Sequence, residues 1–149
     1  MSEPASTAVF SADYTVSFGD CDPAGIVFYP NIFAWLDRTF HGFLREAGGG
    51  HGAICAALGL KGVGLVEAHC GFRSPLVDGN ALTVTITDID WGERGFRVAY
   101  SGDVGARPAF KGYEDRALFV EQDGRMRAGD ARLLEHHLAT AQTTHEHAG

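Results

Sequence analysis

The sequence predicts an α+β domain in which a curled, largely antiparallel sheet wraps one long buried helix. Two observations carry this expectation. Residues 31–47 have helical spacing and are too aromatic for a surface helix, and four strand-like segments follow with only short breaks between the later ones.

The elements follow in order. Residues 1–8 are polar and small and read as a flexible arm. Residues 9–18 are strand-like, with Tyr14, Val16 and Phe18 alternating against Thr15 and Ser17. Gly19-Asp20-Cys21-Asp22-Pro23-Ala24-Gly25 is a dense cluster of turn formers, and the apolar run 26–29 ends at Pro30. A helix over 31–47 takes Asn31 as its N-cap and Gly48 as its stop. Ile32, Leu36, Phe40, Phe43 and Ala47 form one stripe, and Phe33, Trp35 and Leu44 widen it. Gly48-Gly49-Gly50 breaks the chain, and a short second helix is expected over 52–60. Strands are expected over 62–72, 81–91, 94–102 and 108–121, and the brevity of the later turns favours antiparallel hairpins. The domain is therefore set at 9–134, with a frayed tail at 135–149. An open sheet leaves edges that pairing between two copies would cover, so self-association as a dimer or tetramer is expected.

Composition narrows the function. With 149 residues, 45% of them hydrophobic and 21% charged, the chain suits a single globular domain. A formal charge of −7 gives no reason to expect nucleic acid as a partner. No apolar run nears the roughly 20 residues of a membrane span, so membrane insertion is not expected. The N-terminus has no signal-peptide pattern. Three widely spaced cysteines without a CxxC pair argue against a disulfide framework or zinc site, and a reduced, cytoplasmic setting is the simplest expectation. His41, His51 and His69 do not have metal-ligand spacing, and no metal or other cofactor is expected.

The chemistry concentrates in residues 20–31. Two carboxylates, Asp20 and Asp22, sit in a tight loop before the helix. Backbone N–H groups at a helix N-terminus lack intrahelical partners and, with the helix dipole, favour developing negative charge. A carboxylate beside such donors can attack an acyl carbon or activate water to do so. Equally, Asp in a turn can simply cap local backbone amides.

The stretch Phe18-Gly19-Asp20-Cys21-Asp22-Pro23-Ala24-Gly25-Ile26-Val27-Phe28-Tyr29-Pro30-Asn31, followed by Trp35-Leu36-Asp37, closely resembles bacterial 4-hydroxybenzoyl-CoA thioesterases of the hotdog superfamily. The resemblance spans about residues 14–128 and implies a hotdog fold and hydrolysis of an aromatic acyl-CoA, with CoA as part of the substrate rather than a cofactor. It implies Asp22 as the catalytic carboxylate, acting as nucleophile or general base. It places the amide that polarises the thioester carbonyl on the backbone of Tyr29, and puts Asp37 near the acyl group. Asp37 has a structural alternative, a helix-surface carboxylate paired with Arg38 or Arg94. The resemblance also matches Arg94, Arg125 and Arg127 to basic positions for the CoA phosphates. Alternate residues of a strand share a face, so Arg125 and Arg127 can converge on one anion, and a planar guanidinium suits phosphate. Their alternative is a solvated hairpin end. Residues 129–134 and 48–51 depart from the family pattern, in segments that can shape the substrate entrance.

Other functions stay open at this stage. The related Asp loop of Tol–Pal-associated thioesterases points to short aliphatic acyl-CoA substrates. A hotdog scaffold can also bind acyl-CoA without catalysis. A hotdog dehydratase would need a catalytic His near the helix, and only His41 is placed for it.

Overall fold

The structure, a computed structural model, describes residues 7–146. Six strands form a sheet: β1 Phe10–Thr15, β2 Gly62–Phe72, β3 Ala81–Trp91, β4 Phe96–Val104, β5 Arg107–Gln122 and β6 Arg125–Ala128. Their order is β1-β3-β4-β5-β2, with β6 paired to β5. The helices are α1 Pro30–Gly48, α2 His51–Leu58 and α3 Arg132–Glu146. β1 and β3 pair antiparallel from Phe10↔Ile86 to Thr15↔Ala81. Short turns join β3 to β4 and β4 to β5, as hairpins require.

The residues group into two compact units: 7–39, 69–89 and 98–113, and then 40–68, 90–97 and 114–146. In the first, Leu82, Val84 and Ile86 are buried along β3 while Thr83, Thr85 and Thr87 are not, the alternation that a half-buried strand requires. The early part of α1 buries Ile32, Trp35 and Leu36. Tyr14 of β1 stacks on Trp35, with ring centroids 6.1 Å apart, and its hydroxyl lies 3.0 Å from Thr39 Oγ1. Thr39 in turn donates to the Trp35 carbonyl at 2.7 Å, so this buried hydroxyl is satisfied.

In the second unit, Phe40, Phe43, Leu44 and Ala47 are buried with Ile54, Val63, Leu118, Leu134 and Leu138. Phe40 meets Phe96 at 6.0 Å and carries the Arg116 guanidinium 4.2 Å above its ring. Arg116 is paired with Glu114, Nη2 to Oε1 at 3.0 Å, and both side chains are buried. The stripe read from the sequence is thus the buried face of α1.

Several expectations change: the strand expected over 9–18 is Phe10–Thr15, and that expected over 94–102 is Phe96–Val104. Helix α1 begins at Pro30 rather than after Asn31. Proline at the first helical position loses no hydrogen bond, because that N–H would be orphaned anyway. Asn31 does not cap; its side-chain amide donates to the Asp20 carbonyl at 2.8 Å. The second helix is His51–Leu58, one residue earlier at its start, with Gly59 in the left-handed conformation as its C-cap. The tail read as frayed from 135 is helical to Glu146, because Ala131, Leu134 and Leu138 are buried and anchor α3. Residues 1–6 of the arm and 147–149 of the tail lie outside the described residues.

Candidate active site

The loop between β1 and α1 belongs wholly to the first unit. Phe18–Asp20 makes a single 3-10 turn, after which the chain doubles back on itself. Cys21 and Val27 form an antiparallel bridge, and the Asp22 N–H donates to the Ile26 carbonyl at 3.0 Å. Gly25, at φ +82°, makes this reversal in a conformation that side chains with a Cβ rarely adopt. Asp20 shapes the loop. Its carboxylate accepts the Ser17 N–H at 2.9 Å, and its carbonyl accepts the Phe28 N–H and the Asn31 side chain.

Asp22 is half-buried. Its Oδ1 accepts the Ala24 N–H at 2.8 Å, and the second oxygen has no hydrogen-bond partner among the described residues. The capping role is therefore real, and it also fixes the rotamer. One oxygen is held while the other is left available.

The start of α1 supplies the second group. The N–H of Asn31 turns back to Phe28 at 2.9 Å and that of Ile32 to Tyr29 at 3.0 Å. Pro30 has no N–H. The Tyr29 amide has no acceptor among the described residues, so it is an unspent donor at the positive end of the helix. Around it the loop exposes apolar side chains: Phe18, Ile26, Phe28 and Tyr29 are each at least 41% accessible.

An apolar pocket of about 140 Å³ opens beside Tyr29. Ile26, Val27, Tyr29 and Ile32 form one side; Phe72, Ser74, Pro75 and Leu76 form the other. The Val27 N–H donates to the Leu76 carbonyl at 2.9 Å and joins the two sides. Most of these pocket residues were not singled out from sequence. Nothing in Phe72 to Leu76 beyond a Ser-Pro turn signal marks them, because they reach the pocket only through long-range pairing.

The remaining site residues are placed as follows. Asp37 is exposed on α1 and does not line the pocket. Arg94, Arg125 and Arg127 belong to the second unit and are exposed. Arg127 pairs opposite Val120 and Arg125 opposite Gln122, so the two guanidiniums do leave the same face of β6. Arg94 borders a depression of about 400 Å³ that Arg97, Asp115 and Arg116 also line. There the Arg97 guanidinium grips Asp115 at 2.7 and 2.9 Å and holds its carboxyl below the usual range. The N–H of Ala131, just beyond β6, donates to the Glu93 carbonyl at 3.0 Å, tying the Arg94 turn to the end of that strand.

His69 stacks on Tyr113 at 5.2 Å in the first unit, whereas His41 and His51 lie 5.6 Å apart in the second. His51 Nε2 accepts the Val63 N–H at 3.1 Å, a structural duty.

No protein-family model matches the chain. The 4-hydroxybenzoyl-CoA thioesterase of Pseudomonas sp. (strain CBS-3) is 27% identical over 121 residues, covering 76% of this chain and 84% of that protein. The solved structure of a 4-hydroxybenzoyl-CoA thioesterase from the same strain superposes with a TM-score of 0.72 at 26% identity, covering 86% of this chain and 96% of that one. A gentisyl-coenzyme A thioesterase structure is 29% identical with a TM-score of 0.69, covering 80% and 94%. The fold is therefore a hotdog fold, shared with these two thioesterases. Its likeness to 4-hydroxybenzoyl-CoA thioesterases agrees with the resemblance read from residues 18–37.

Proposed function

We propose that this protein hydrolyses an aromatic acyl-CoA, of the benzoyl or hydroxybenzoyl type, to the free acid and CoA. The observation that carries the reading is the conjunction, in one loop, of a half-buried carboxylate with one unspent oxygen, an unspent helix N-terminal amide, and an apolar pocket beside that amide. The pocket's size bears on the acyl group. A cavity of about 150 Å³ lined by aliphatic and aromatic side chains holds one benzene ring. About 140 Å³ with a similar lining therefore suits a single ring.

In this mechanism the Tyr29 N–H donates to the thioester carbonyl oxygen and stabilises the charge that develops there. Asp22 then acts in one of two ways. It takes a proton from water, whose oxygen bonds to the acyl carbon, or it attacks that carbon to give an anhydride that water opens. Either way the C–S bond breaks, the CoA sulfur leaves as thiolate and takes up a proton, and the acyl group leaves as carboxylate. Arg94, Arg125 and Arg127 are assigned to the CoA phosphates, and Asp37 to a contact with the acyl group on the strength of the resemblance alone.

The test is free-thiol release from benzoyl-, 4-hydroxybenzoyl- and butyryl-CoA. The proposal expects kcat/KM for the aromatic thioesters to exceed that for butyryl-CoA. Preference for butyryl-CoA would point to the short aliphatic alternative. Binding of all three without thiol release would point to a non-catalytic acyl-CoA-binding protein.

A further inference from the structure

Beyond Phe72 at the end of β2, the far wall of the Tyr29 pocket has no regular structure of its own. Residues 73–80, joining β2 to β3, are held by ties to three neighbours. The Arg73 and Ser74 N–H groups donate to the Ala109 carbonyl, Leu76 accepts from Val27, and Gly79 and Asn80 exchange hydrogen bonds with Val16. A fourth tie comes from one side chain. Arg107, the first residue of β5, donates from Nη1 to Ser74 Oγ at 2.6 Å and to the Pro75 carbonyl at 2.8 Å, and from Nη2 to Asn80 Oδ1 at 3.4 Å. Ser74 Oγ in turn donates to the Pro108 carbonyl at 2.7 Å, and Asn80 Oδ1 also accepts the Val77 N–H at 2.9 Å.

Arg107 thus spans the segment from Ser74 to Asn80. Among the described residues all its bonds go to neutral acceptors and none to a carboxylate. The feature these acceptors use is the rigid fork of the guanidinium, which an ammonium on a flexible stem does not reproduce.

We propose that Arg107 is a positioning residue for acyl-group recognition. It touches no substrate but fixes Ser74, Pro75 and Leu76 as the far wall of the pocket. The inference rests on the reading that this pocket holds the acyl ring. Loosening the wall weakens the grip on the ring while leaving Asp22 and the Tyr29 amide in place. The expected signature of Arg107→Ala is a KM for benzoyl-CoA raised about tenfold with kcat nearly unchanged, and little effect on butyryl-CoA, which fills less of the pocket. Arg107→Lys, keeping the charge without the fork, should recover only part of the loss.

Kinetics with wild type, Arg107→Ala and Arg107→Lys test this, with thermal melting to confirm that each variant is folded. Wild-type turnover of benzoyl-CoA with an unchanged KM in Arg107→Ala would overturn the inference and leave the proposed function standing. Equal losses for benzoyl- and butyryl-CoA would also overturn it, as would full rescue by lysine. If wild type releases no thiol, the proposed function fails, and binding of 4-hydroxybenzoate decides the inference separately, read from the methyl resonances of Ile26, Ile32 and Leu76. Shifts that need about tenfold more ligand in Arg107→Ala support it. Equal titrations, or no shifts in wild type, overturn it.

Discussion

Asp22 holds Ala24 with one carboxylate oxygen and leaves the other unspent. The structural and the proposed catalytic reading of this residue therefore do not compete: the bond to Ala24 would orient the carboxylate, whether nucleophile or general base. The cysteines offer a contrast. Burial pushes the Cys70 thiol up to about 11 and raises that of Cys55 as well. A thiol with a raised pKa is protonated at neutral pH and is a poor nucleophile. Cys70 in the folded protein should therefore react with iodoacetamide at pH 7.5 far more slowly than a free thiol, as mass spectrometry would show. Rapid modification of the folded protein would contradict this. At this scale the turn around Asp22 was legible because turn chemistry is a local signal, whereas Tyr29 was singled out only through the resemblance. Ser74, Leu76 and Arg107 were not legible, because their contacts form only after distant segments pair.

Helix α1 was legible from its stripe alone, since a helical period with this aromatic content has one physical outcome. Its first residue was misread, because Asn31 is a good cap by type but is engaged by the Asp20 carbonyl. The pair on β5 could not be read at all. Glu114 and Arg116 are both buried, two positions apart on one strand, and Arg116 also covers Phe40. Breaking a buried pair is costly, so Glu114→Gln should destabilise the protein by about 3 kcal/mol in denaturant unfolding. A change within ±0.5 kcal/mol would mean that Arg116 finds another acceptor. Close approach sets a second expectation: a Cβ at Gly102 would meet the Phe110 ring at 2.2 Å. Gly102→Ala should cost about 1–3 kcal/mol, as overpacking does, and an unchanged melting temperature would contradict that.

For the molecule as a whole, the sheet order leaves β1 and β2 as edges. The β2 edge runs eleven residues with Leu65 and Val66 exposed, the kind of edge that invites pairing with another chain. We expect light scattering at micromolar concentration to give at least twice the chain mass, and a monomer mass would contradict that. The α+β class was legible from the order of the elements, and the hotdog fold from the resemblance over residues 14–128. The helical tail was not legible, because its His and Thr residues rank low as helix formers and burial of Leu134 and Leu138 holds it.

The most direct test of the central claim is thiol release from 4-hydroxybenzoyl-CoA by wild type and Asp22→Asn side by side, with melting curves to show that both are folded. Wild-type turnover that falls about 10²–10⁴-fold in the variant is expected if the carboxylate serves as nucleophile or general base. Turnover of a folded Asp22→Asn variant at the wild-type rate would contradict it.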